Sequence, residues 1–176
     1  MSKKIAVAAL VMILALVNGY IYGKEKHLSE GKIVYLELAP VDPRSLMQGD
    51  YMDLRFELAE KLYQALAEAE ENPGWRHEAA AGDGLVVVRL DERDIGSFQA
   101  IYKDQSLSEN EILMRYRLRH GRIRFATNAY FFQEGRGECY ESAQYGRFRV
   151  DDNGELLLTG LYDENLKQLE PTEKCS

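Results

Sequence analysis

The sequence predicts an α+β fold: an N-terminal transmembrane helix, then one mainly antiparallel β domain with one principal amphipathic helix. Three observations lead there. Residues 5–23 carry no charge. Beyond residue 31, several short segments alternate apolar and polar side chains with the period of two that half-buried strands need. Residues 57–71 instead repeat leucine at helical spacing, at Leu58, Leu62 and Leu66.

A chain of 176 residues is long enough for one domain with a sizeable core. Its 29 acidic against 22 basic residues give a net charge of −7, which argues against a nucleic-acid partner. Charged residues make up 29%, so the chain is not a polytopic membrane protein. Two cysteines, Cys139 and Cys175, are too few for a disulfide scaffold, but they can pair in an oxidising compartment.

The uncharged run has 19 residues. As a helix it spans roughly 28 Å, close to the thickness of bilayer hydrocarbon. It is apolar on every side from Ile5 to Val17, unlike a helix that lies on a core. Two readings remain. One is an uncleaved signal-anchor at 5–23, with a cytoplasmic tail at 1–4. The other is a signal peptide cleaved near Gly19, after Val17-Asn18-Gly19, leaving the domain soluble. The short amino-terminal tail favours the N-terminus inside and the domain outside. A juxtamembrane segment at 24–31, a domain at 32–169 and a flexible tail at 170–176 complete the expected organisation.

Within the domain, 32–38 reads as a strand with Val34, Leu36 and Leu38 on one face. Residues 40–48 hold two prolines and Asp42, which suit a loop. Residues 50–58 alternate, with Met52, Leu54, Phe56 and Leu58 facing one way. The helix follows and stops at Pro73-Gly74. Residues 72–84 read as a loop anchored by Trp75. Strands are expected at 85–90, 98–102, 112–119, 122–126, 129–133, 145–150 and 156–160. The hairpins turn at His120-Gly121 and at Asp151-Asp152-Asn153-Gly154.

The segment Gly49-Asp50-Tyr51-Met52-Asp53-Leu54-Arg55-Phe56 resembles the signature of the bacterial GDYXXLXY family, with Phe56 in place of the last tyrosine. The preceding Leu36-Glu37-Leu38-Ala39-Pro40-Val41-Asp42-Pro43-Arg44-Ser45 is similar to the family's lead-in. So are Phe131-Phe132-Gln133-Glu134-Gly135 and Tyr140-Glu141-Ser142-Ala143-Gln144-Tyr145-Gly146 later in the chain. The resemblance implies a bacterial membrane-anchored protein, of a kind often encoded beside polytopic membrane proteins. It supplies no biochemical activity. It marks Asp42, Arg44, Gly49, Asp50, Tyr51, Leu54, Phe56, Glu134, Gly135, Tyr140, Tyr145 and Gly146 as a recognition surface or as structural pins for a loop and strand.

Catalytic chemistry is thin. Ser45 ahead of Gly49-Asp50 loosely resembles the nucleophile of signal peptidases. It stands four residues before the glycine, where those enzymes have eight or nine, and no lysine lies in 85–102 to act as base. His27, His77 and His120 share no metal-ligand spacing. Glu134, Glu138 and Glu141 have the spacing of one helical face, which reads as solvated. No catalytic residue, metal or cofactor is expected.

The hairpin at 112–126 is more informative. Alternation places Arg115, Arg117, Arg119, Arg122 and Arg124 on one face, and a two-residue turn pairs Arg119 with Arg122 and Arg117 with Arg124. Like charges directly opposite repel, so an anion is expected to offset them. One source is internal: the helix at 57–71 has five glutamates and one lysine, net −4, and can lie across the arginines. The other is an anionic partner. The expectation is therefore a non-enzymatic, single-pass inner-membrane protein whose periplasmic domain binds another envelope protein, with a polytopic membrane protein as partner. The alternative is binding of an anionic ligand or lipid headgroup through the arginine face.

Overall fold

The computed structural model describes residues 2–39, 47–48, 51–69, 82–127 and 129–170. Asp42, Arg44, Ser45, Gly49, Asp50, Trp75, His77 and Cys175 lie outside them. The architecture is α+β, as the sequence predicts: a long apolar helix, antiparallel sheets and a second helix.

Helix α1 (Ser2–Glu30) runs unbroken through the uncharged segment and the polar residues after it. It is long and apolar enough to span a membrane or to serve as a signal sequence, and no other described residue covers its apolar surface. After Gly31 the chain enters strand β1 (Lys32–Glu37) directly. Val34 and Leu36 of β1 are fully buried.

β1 pairs with β9 (Tyr145–Val150), which pairs in turn with β10 (Leu156–Tyr162). Asp151 closes the β9–β10 turn: its Oδ1 accepts from the N–H groups of Asn153 and Glu155 at 2.9 and 2.8 Å. A second antiparallel sheet has the order β5 (Gly96–Ile101), β4 (Gly82–Leu90), β6 (Glu111–Arg119), β7 (Arg122–Arg124). The two sheets meet where the Tyr35 N–H donates to the Asp94 carbonyl at 2.9 Å, beside a parallel bridge from Tyr35 to Ile95. A small third sheet joins β2 (Met47–Gln48), β3 (Tyr51–Asp53) and β8 (Ala129–Phe131).

Helix α2 (Glu57–Ala69) buries Leu58 and Leu62 in the common core with Met114, Leu118, Ile123 and Phe125. These side chains belong to the apolar face of the β6–β7 hairpin, so α2 packs on the side away from the arginines.

Several strand ends shift by about two residues, as at β5, β7, β8 and β10, and two segments differ in kind. The segment at 50–58 is not one strand: β3 ends at Asp53, and α2 begins at Glu57. Met52, Leu54, Phe56 and Leu58 are all buried nonetheless. The alternation persists because the extended link after β3 and the first helical turn present the same side to the core. Residues 82–84, expected in a loop, begin β4. Their glycines disfavour a strand locally, but the ladder to β6, with Gly82 opposite Leu118, overrides that preference.

Candidate functional site

The signature residues fall in two places. Leu54 and Phe56 are core side chains. Phe56 packs edge-on against Phe148, with ring centroids 5.3 Å apart. Tyr51 is half-buried on β3, opposite Phe131 of β8, with centroids 5.8 Å apart. Tyr140 is buried in a turn of 3-10 helix (Gly137–Tyr140), between Tyr130 at 5.2 Å and Phe132 at 5.4 Å. Burial, above all, pushes the Tyr140 phenol up to about 12, helped by its hydrogen bond with Tyr130. Gly146 in β9 leaves room for Phe56, and Tyr145 pairs with Glu37 and Tyr162 across the sheet. Glu134 is exposed, and Gly135 adopts a left-handed turn conformation at φ 80°. Glu134, Glu138 and Glu141 do not share a helical face, because helical structure there is only the single 3-10 turn after Gly135.

At the end of α1 the structure brings together residues the sequence did not link. His27 is buried, and its Nε2–H donates to the Arg149 carbonyl at 2.9 Å. The Arg149 guanidinium donates back to the Gly31 carbonyl at 2.8 Å. A Cβ on Gly31 would stand 2.6 Å from the His27 carbonyl oxygen and 3.2 Å from Arg149 Cβ, so only glycine fits this joint. The last turn of α1 is thereby braced on β9, with no free linker between helix and domain.

The arginine hairpin forms as the sequence predicts. His120 and Gly121 both have positive φ, 51° and 68°, the pattern of a type I′ turn. Arg119 stands opposite Arg122, and Arg117 opposite Arg124. Among the described residues no carboxylate of α2 pairs with these arginines, while Glu70 and Glu71 of the expected 57–71 helix lie outside the described residues. Arg115 Nε lies 2.7 Å from Glu155 Oε1, and Arg119 Nη2 lies 2.7 Å from Asp83 Oδ1. Arg119 also donates to the Gly82 carbonyl. Among the described residues, Arg117 makes a long contact, 3.5 Å, with the Ala126 carbonyl. Among the described residues, Arg117, Arg122 and Arg124 have no carboxylate within ion-pair distance.

Beside this hairpin a groove of about 710 Å³ runs between β7, β3 and α2. Leu54, Phe56, Ala59 and Ile123 supply apolar walls, and Arg122 and Arg124 border it. Asp53 and Glu60 also line it, with Asp53 3.9 Å from Arg55.

Position relative to α1 separates the two ends of the domain. Residues Glu111–Leu113, at the start of β6, line a crevice with Gly23, Lys26 and His27 of α1. From there β6 runs to the turn at His120, roughly 23 Å on at 3.3 Å per residue. Arg122 therefore sits near the far end of β6 from that crevice, and Arg117 and Arg124 sit roughly 13 Å along the strand from Leu113.

Cys139 is buried and disulfide-bonded, and no described cysteine is free. The other cysteine of the chain lies outside the described residues. Among the described residues no cluster of histidine, cysteine and carboxylate side chains is arranged to hold a metal.

A family model, described as GDYXXLXY protein, matches residues 13–161. The match starts inside α1 and ends in β10, so it covers helix and domain together. No curated protein and no solved structure matches the chain.

Proposed function

The chain belongs to the GDYXXLXY protein family, and from that premise we propose that it is a single-pass membrane-anchored binding protein, not an enzyme. Its domain stands on the periplasmic side of a bacterial inner membrane and holds or stabilises another envelope protein, with a polytopic membrane protein as the partner.

The uncovered apolar surface of α1, joined to the domain at Gly31, carries this reading. His27 and Gly31 lie beyond Gly19 and belong to the domain in either case, and what their brace adds is a rigid connection to a retained helix. Here the helix passes from its apolar span into the domain without a break, tied by His27 and Arg149. The uncovered apolar surface of α1 asks for a hydrocarbon environment. The disulfide at Cys139 supports an oxidising compartment.

Affinity purification of the full-length protein from detergent-solubilised membranes, followed by mass spectrometry, tests the proposal. A stoichiometric polytopic partner is the expected result. Recovery of the protein alone overturns it.

A further inference from the structure

If the domain binds another protein, as proposed above, it needs a contact surface. We infer that this surface is the outer edge of β7, and that its occupant is an extended acidic segment of the partner, added to the sheet as a fifth strand.

The backbone supplies the first reason. β7 ends its sheet, and among the described residues no strand pairs with its outer side. In a hairpin closed by a two-residue turn, Arg119–Arg122 and Arg117–Arg124 are the pairs that exchange hydrogen bonds. The N–H and C=O of Ile123 consequently point outward. Unmade hydrogen bonds on a sheet edge are a template for another strand.

Charge supplies the second. Arg122 and Arg124 are exposed on either side of Ile123, roughly 7 Å apart as i and i+2 on a strand. Arg117 faces Arg124 across the hairpin, and none of the three has a carboxylate partner among the described residues. A paired strand with acidic residues at i and i+2 would set one carboxylate beside each arginine. A small anion bridging the two guanidinium groups would leave the outward N–H and C=O of Ile123 unmade, whereas a paired strand satisfies both.

The groove supplies the third. The residue opposite Ile123 would point to the same side as Ile123, into a space walled by Leu54, Phe56 and Ala59. Asp53 and Glu60 in that groove repel a carboxylate entering there. The predicted ligand pattern is therefore acidic, apolar, acidic, in the register that puts the apolar residue opposite Ile123.

The test uses the full-length protein in detergent micelles and a capped, dye-labelled heptapeptide alternating glutamate with valine. Fluorescence anisotropy should show saturable, salt-sensitive binding, and backbone-amide exchange at Ile123 should slow in the complex. Arg124→Glu and Arg122→Glu should each weaken binding about tenfold, and Arg124→Gln, a milder change for folding, should weaken it less. No binding, equal binding of a lysine–valine peptide, or indifference to these variants overturns the inference. Displacement by inorganic phosphate with unchanged Ile123 exchange identifies a simple anion site and overturns it too. Retention of a co-purifying partner by Arg122→Glu/Arg124→Glu defeats the edge site alone. Peptide binding with no partner from membranes defeats the partner reading alone.

Discussion

Phe56 lies against Gly146, with the Phe56 Cε1 atom 2.9 Å from where a Cβ on residue 146 would stand. The last position of the first signature and the glycine of the second thus form one contact in the core. Gly146→Ala forces the buried ring or β9 to shift, at a cost of about 1–3 kcal/mol. Denaturant unfolding should show that loss. The double variant Phe56→Leu/Gly146→Ala should be less unstable than the sum of its parts, because the smaller side chain vacates the space. Strict additivity would mean that the two residues do not meet.

His27→Ala should loosen the joint more than it destabilises the domain. One hydrogen bond is lost, worth about 1 kcal/mol, while the core of the sheets is untouched. Spin-label distances between α1 and β10 should broaden with a small change in melting temperature. Gly31→Ala should broaden them further, since its Cβ meets backbone. Unchanged distributions in both variants would show that the helix is not held there.

Glu37 gives a pH dependence. Its carboxyl is raised above the usual carboxylate range by burial, then by its hydrogen bond with and the charge of Glu57. Lys61, 2.6 Å from Glu57, holds Glu57 below that range. A carboxyl with a raised folded-state pKa contributes stability that is present at acid pH and is lost as pH rises through that pKa. Glu37→Gln mimics the protonated form. The variant should melt above the parent at pH 7 and level with it near pH 4. A lower melting temperature at pH 7 would contradict this account.

Tyr140 acts at the other end of the scale. Its folded-state value of about 12 exceeds the ordinary phenol value of about 10, so its contribution is complete below the ordinary value and fades as pH rises toward the folded one. Tyr140→Phe removes that ionisation. The variant should be weaker at neutral pH by about 1 kcal/mol for the lost hydrogen bond, yet lose less stability between pH 9 and 12. Parallel alkaline profiles would rule out Tyr140 as the source.

The sequence disclosed local relations and concealed distant ones. The pairing of Arg119 with Arg122 was legible because His120-Gly121 allows only a short turn, and alternation then fixes every neighbour. The partners of Arg115 and Arg119 were not, because Glu155 and Asp83 arrive from β10's approach and from a stretch whose glycines read as loop. The leucine spacing of α2 showed which face is buried, but not that this face meets the apolar side of the hairpin. His27 gave no signal at all, since the carbonyl it needs belongs to residue 149.

The joint at Gly31 makes α1 and the domain turn as one body. Any rotation of α1 about its own axis swings the β7 edge around that axis by the same angle. A molecule that grips that edge would thereby also fix which flank of α1 faces it, so one contact on the sheet would set the azimuth of the whole apolar helix.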